Sequence, residues 1–294
     1  MTQWREQIGR LGVWAPTDMM SVPDAVAFAQ LLEELGYGTL WVPETMGRDP
    51  FVHLAHLGAN THALTLATGI ASIHHRHPGA MLQATNALSE QTSGRFVLGL
   101  GVSHQPMVSG MRGLPYDKPV STMRTYLEKM DASPYLAPAP DTPPPRLLAA
   151  LGPKMLELAA SNADGAHPYW TTPDHTAVAR KILGPDKLLC VEQKVVLTSD
   201  AEVAHATAIR ALSVYIDLPN YRNNWLRLGF TEEEISGHDR RFLDAVVAWG
   251  SVDSITDRIR EHHDAGADHV CVQALTPGHP FTVDQDALRD LVRS

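Results

Sequence analysis

Chemistry is most concentrated between Leu66 and Pro78. There the strand-like run Leu66-Ala67-Thr68-Gly69-Ile70-Ala71-Ser72-Ile73 gives way to His74, His75, Arg76 and His77, just before a proline suited to opening a helix. Imidazoles titrate near neutral pH and carry protons, and a guanidinium grips anions through a planar fork. The same arrangement, a reactive side chain directly after an apolar run, recurs along the chain. Glu44 and Thr45 follow Leu40-Trp41-Val42-Pro43, and His104 follows Gly99-Leu100-Gly101-Val102-Ser103. Lys154 follows Ala149-Ala150-Leu151-Gly152-Pro153, and Trp14 and Trp170 close two further short runs. In parallel sheets and barrels, sites form at the carboxyl ends of the strands, so these residues are expected around one shared mouth.

Each feature also has a plain reading. His75 and His77 are two apart and would share one side of an extended backbone, as metal ligands can, yet a third ligand is hard to name. Glu202-Val203-Ala204-His205 has ligand-like spacing but reads as a solvated helix face, and no metal is expected. The histidines are left with contacts to an anion or substrate, or with ordinary loop polarity. Gly99-Leu100-Gly101 lacks the third glycine and the later acidic residue of a dinucleotide loop. Gly69 marks either a bulge on which a flat ligand lies or simple packing. In Leu151-Gly152-Pro153-Lys154-Met155, a helix begins where free backbone N–H groups and the helix dipole favour a phosphate. An ordinary strand-to-helix turn would look the same. Arg76 and Arg180 are the next cations available to such an anion. Trp14 and Trp170 would flank a planar ring system or pack beneath a loop.

The elements that position these residues alternate. Strands are expected at 11–14, 39–42, 65–71, 96–100, 147–151, 165–167, 188–197 and 269–275, with helices between them. In the helix at 23–35, Ala25, Phe28, Leu32 and Leu35 share a face and Gly36 supplies the stop. Residues 133–145 carry six prolines and read as an extended surface connection. From 200 to 249 only helical patches are expected, at 201–212 and 240–248. Eight parallel strands with helices between them predict an α/β fold, a (β/α)8 TIM barrel with a helical insertion before the last β/α unit, spanning 1–294 as one domain.

Composition excludes several classes. Lys and Arg total 24 against 33 Asp and Glu, a formal charge of −9, with no basic run to follow a phosphate backbone. Nucleic acid is not an expected partner. No apolar run approaches the roughly 18 residues of a membrane span, and the amino terminus lacks signal-peptide order, so a cytoplasmic protein is expected. Cys190 and Cys271 stand inside apolar runs and read as buried thiols.

Five segments in order resemble the bacterial luciferase-like monooxygenase family. They are Leu40-Trp41-Val42-Pro43-Glu44, Thr68-Gly69-Ile70-Ala71, the run from Gly94 to His104, Asp164-Gly165-Ala166-His167, and Asp264-Ala265-Gly266-Ala267-Asp268-His269-Val270. The strand endings Gly101-Val102-Ser103-His104 and Asp164-Gly165-Ala166-His167-Pro168-Tyr169 resemble its actinobacterial branch that uses the deazaflavin coenzyme F420. That resemblance implies an oxidoreductase passing a hydride between F420 and a small organic substrate. An FMN-dependent monooxygenase is the alternative, ahead of a metal-dependent hydrolase or a non-catalytic flavin-binding protein. It implies a cis peptide at Gly69–Ile70 beneath the coenzyme ring, with Ala71, Val102 and Ser103 beside it and Leu151 to Met155 at the phosphate. Trp14, Thr45, His74 and Trp170 would line the substrate pocket. His104 would be the catalytic acid or base with Glu44 orienting it, and the protein would be a homodimer. Related sugar-phosphate dehydrogenases carry histidine where Thr45 stands and glutamate where His104 stands, so their acid and base assignments do not transfer.

Overall fold

A computed structural model describes residues 1–293. Its strands, in chain order, are β1 (Leu11–Trp14), β2 (Thr39–Val42), β3 (Thr65–Thr68), β4 (Ala71–Ser72), β5 (Phe96–Gly101) and β6 (Arg146–Leu148). There follow β7 (Gly165–Ala166), β8 (Leu188–Leu197), β9 (Val247–Gly250), β10 (His269–Thr276) and β11 (His279–Val283). Parallel pairing runs β10-β1-β2-β3-β5-β6-β7-β8 and closes on itself, because β10 also pairs β8 from His269↔Cys190 to Ala274↔Val195. The ring is a (β/α)8 barrel, counting β3 and β4 as one interrupted strand.

Side-chain alternation sorts two cores. Val13, Leu40, Leu66, Phe96, Leu98, Leu148, Leu189, Val191, Val270 and Val272 pack outward against the helices. Trp14, Trp41, Ala67, Val97, Leu147, Leu188, Cys190 and Cys271 fill the barrel interior. Both cysteines are buried, free thiols. Local signals set the helices between. Pro78 opens Pro78–Gln91 with His77 as its cap, and Asp49 caps Pro50–Ala59 through the N–H groups of Phe51 and Val52.

Three expectations change. The strand expected at 65–71 breaks after Thr68 and resumes as β4. Across the gap the Thr68 hydroxyl donates to the Gly99 carbonyl at 2.8 Å and accepts from the Gly99 N–H at 2.9 Å, replacing main-chain pairing. The stretch 200–249 is not wholly helical: Arg240–Val246 ends early and β9 follows, parallel to the end of β8 from Lys194↔Val247 to Leu197↔Gly250. The ten-residue β8 outruns its neighbour and leaves an edge that Val247, Ala248 and Trp249 can pair. Finally, β11 turns back antiparallel on β10, and a helix at Thr2–Ile8 precedes β1. The insertion packs as its own apolar cluster around Trp225, Phe242, Leu243 and Ile235. No helix among the described residues is long and apolar enough to cross a membrane.

Candidate functional site

The break in strand three builds a ledge at the carboxyl end of the barrel. The Gly69–Ile70 peptide is cis, as the resemblance implies. The Trp14 indole donates to the Gly69 carbonyl at 2.8 Å, so Trp14 fixes the ledge as well as facing the cavity beside it. The paired glycines of β5 make room for this path. A Cβ on Gly99 would stand 2.0 Å from the Thr68 carbonyl oxygen, and one on Gly101 would stand 2.4 Å from the Ile70 side chain. Gly99-Leu100-Gly101 is therefore a packing device. Ala71 is buried in pairing with Leu100, and Val102 lies half-buried at the core edge.

Glu44 anchors this ledge. Its carboxylate accepts from the Ser72 N–H at 2.8 Å and pairs with Arg76 at 2.6 Å and His75 at 3.2 Å. Arg76 also pairs with Asp49. The expectation that Glu44 orients His104 is corrected: the polar partner of the His104 ring is the Asn220 side chain, and Tyr221 lies 5.5 Å from it. Both residues come from the insertion, so no local pattern could have paired them with His104. Burial lowers the His104 pKa, opposed by the Asn220 hydrogen bond. The imidazole is thus neutral at pH 7 and ready to accept a proton. His74 sits apart, its ring 5.7 Å from Tyr116, whose hydroxyl donates to the Ser103 carbonyl at 3.1 Å.

A polar group that the sequence reading passed over fills the upper barrel. Glu192 and Lys194 alternate on β8 and so share its inner face; both are 1% exposed. Lys194 Nζ lies 3.0 Å from each Glu192 carboxylate oxygen and over the rings of Tyr169 and Trp170, at 3.6 and 3.7 Å. Burial lowers Lys194 to about 8 against the pull of Glu192, and raises Glu192. The Tyr169 hydroxyl donates to Gln273 Oε1 at 2.9 Å. Two charges flanking Gln193 in a largely apolar strand were the available signal. Trp14, Thr45, Tyr169, Lys194, Gln273 and Phe281 are among the walls of a cavity of about 170 Å³ above this group. Trp170 is 1% exposed and lies behind Lys194, packed with the insertion. Thr45 donates its hydroxyl to Asp18 at 2.5 Å.

The expected anion turn gains a cation from elsewhere. Gly152 precedes the helix Pro153–Asn162 and has extended backbone. A Cβ there would come within 3.5 Å of Arg227 Nη2, from the helix Pro219–Arg227. Among the described residues no carboxylate pairs with Arg227, and burial lowers its pKa. Asn224, 1% exposed, accepts a long bond from Arg227 at 3.4 Å, while its amide nitrogen has no partner. The Leu151 carbonyl is held by His175 Nε2 at 2.9 Å. Lys154 is exposed in the first turn and Met155 is buried. Arg180 is excluded from this role: it binds the carbonyls of Gly184, Lys187 and Gly266 and the carboxylate of Asp268, before the starts of β8 and β10 at the opposite end.

His205 is corrected as well, being buried and bonded to Asp244 Oδ1 at 2.7 Å rather than solvated. Among the described residues no group of three or more His, Cys, Asp or Glu side chains is placed to hold a metal ion.

The family model described as luciferase-like monooxygenase matches residues 9–269. The chain belongs to the luciferase-like monooxygenase family. One relative is a Mycobacterium tuberculosis protein provisionally named a coenzyme F420-dependent oxidoreductase. It is 27% identical, over 76% of this chain and 77% of that one. An F420-dependent glucose-6-phosphate dehydrogenase of Beutenbergia cavernae is 26% identical, over 78% and 76% of the two chains. Among solved structures, an F420-dependent secondary alcohol dehydrogenase in complex with an F420-acetone adduct superposes with a TM-score of 0.78. It covers 97% of both chains at 14% identity, a likeness of fold. In this luciferase-like protein the chain leading to the anion turn passes the ledge, since Ala149 stands 3.3 Å from the Cβ position of Gly101, against which Ile70 packs.

Proposed function

We propose that this chain is an F420-dependent oxidoreductase that exchanges a hydride with a small organic substrate. The observation that carries the reading is the Arg227 guanidinium, without a carboxylate partner among the described residues, at the Gly152 turn, which follows the stretch that passes the ledge at Gly69–Ile70. A planar coenzyme with a phosphate on its side chain suits both features. The orphaned Asn224 amide nitrogen is a further donor at the same turn. The names of the two relatives favour F420 over FMN.

When bound, the coenzyme supplies the hydride chemistry. Ile70, with Gly69 fixed by Trp14, would support its ring, and the Leu151–Met155 backbone with Arg227 would hold its phosphate. His104 takes the proton from a substrate hydroxyl during oxidation, or returns it to the oxygen during reduction. Asn220 holds the imidazole for that transfer. Glu44 acts through Arg76, His75 and Ser72 to keep the ledge in place. Tyr169, Tyr215 and Tyr221 wall the site against water.

Fluorescence titration with F420 and with FMN tests the coenzyme. Tighter binding of F420, weakening with salt because of its acidic tail, is expected. Tighter FMN binding, with oxygen consumed on reduction, would replace the reading by the monooxygenase one. The same reading expects a homodimer, to be measured by light scattering.

A further inference from the structure

The cavity above β8 contains a lysine without presenting a net charge. Lys194 Nζ is matched at 3.0 Å by both oxygens of Glu192, and the two side chains are equally buried. Whether the proton rests on the amine or the carboxylate, the pair sums to zero. The remaining walls are aromatic or uncharged: Trp14, Tyr169, Tyr215, Gln273 and Phe281. At the rim, the Asp18 carboxylate accepts from Thr45 and from the Arg48 N–H at 2.8 Å, and the Arg112 guanidinium donates to the Thr45 carbonyl at 3.2 Å, so charges of both signs stand there and the neutral interior decides.

From this we infer that Glu192 determines specificity, keeping the substrate cavity neutral so that it selects a small uncharged carbonyl compound or alcohol over an anionic one. The inference rests on the proposed oxidoreductase reading, whose substrate class it names. Size agrees, since about 170 Å³ is below the roughly 300 Å³ at which drug-sized pockets begin. The oxygen of such a substrate has donors to meet. Gln273 Oε1 is taken by Tyr169, which leaves its amide N–H groups. The Lys194 ammonium is taken up by Glu192 and by the faces of Tyr169 and Trp170. A carboxylate or phosphate would have to displace Glu192 or share the ammonium with it, bringing like charges together in a desolvated site.

Ligand-observed NMR with cyclohexanone and cyclohexanecarboxylate, on the protein alone and saturated with F420, tests this. The unmodified protein should bind the ketone at least about tenfold more tightly. Glu192→Gln should shift the ratio toward the carboxylate by about tenfold or more, because the amide keeps the volume of Glu192 but leaves the Lys194 charge uncompensated. The double variant Glu192→Gln/Lys194→Met, lacking both charges, should keep the preference for the ketone. Equal or tighter carboxylate binding in the unmodified protein, an unchanged ratio in folded Glu192→Gln, or no binding of either probe would overturn the inference. Should Glu192→Gln fail to fold, the unmodified protein and the double variant still decide, since carboxylate preference in either overturns it. Failure of F420 to bind, with the probe pattern intact, would sink the coenzyme reading and leave the neutral cavity standing.

Discussion

Removing the Arg227 guanidinium isolates the anion turn from the rest of the site. In Arg227→Ala the cation 3.5 Å from the Gly152 Cβ position disappears, along with a hydrogen bond to Asn224 that is already long at 3.4 Å. A charge-assisted hydrogen bond contributes about 1.5 to 3 kcal/mol. Coulomb attraction at 4 Å and an effective dielectric of 20 is about 4 kcal/mol before solvent screening. Arg227 is itself exposed, so screening cuts this to a net loss of about 1 kcal/mol, roughly a fivefold rise in the Kd for F420. Arg227→Lys should recover part of it, since a point charge replaces a planar fork. Lys154→Ala should change Kd by only about twofold, because Arg227 and not Lys154 stands within 4 Å of the Gly152 Cβ position and solvent screens an exposed lysine. Thermal unfolding should scarcely move for Arg227→Ala, as no ion pair is lost. The assay is fluorescence titration at two salt concentrations, where the difference between parent and variant should shrink as salt rises. A folded Arg227→Ala protein with unaltered F420 affinity would place the phosphate elsewhere and refute the assembly of this turn.

Three more perturbations probe the scaffold and the proton chemistry. Gly99→Ala would drive a methyl group to 2.0 Å from the Thr68 main-chain oxygen, costing about 4 kcal/mol or more. A melting temperature close to that of the parent would show that strand three does not cross there. His167 and His269 are lowered to about 4 and His262 to about 3, chiefly by burial. Their folded values lie below the unfolded one, so stability is complete above about 6.5 and is lost as pH falls toward those values. At pH 5 each would cost about 2 kcal/mol in order of magnitude. Urea midpoints that stay level from pH 7.5 to pH 5 would contradict this. For His104, also lowered by burial, substrate oxidation should be level above about pH 6.5 and decline as pH falls through its pKa. His104→Ala should lose that limb of the profile, and a variant that kept it would assign the proton to another group.

Local patterns settled much of the fold. The bounds of β2 and β8 and the start of the helix at Pro78 are those the apolar runs and proline signals predict, because such signals act within a few residues. The family resemblance marked the cis Gly69–Ile70 peptide, and the glycine-proline pair after an apolar run marked the turn at Gly152. Partners across the mouth were not legible. Asn220 beside His104 and Arg227 beside Gly152 come from an insertion dozens of residues later, placed by its own apolar cluster. The break after Thr68 depends on glycines in the next strand. Glu192 and Lys194 were visible as charges in an apolar strand. Their neutral pairing under Tyr169 and Trp170, and the cavity above, exist only because closure of the barrel brings β1, β7, β8 and β10 around one desolvated space. Burial and charge balance are properties of that enclosure, which no stretch of sequence contains by itself.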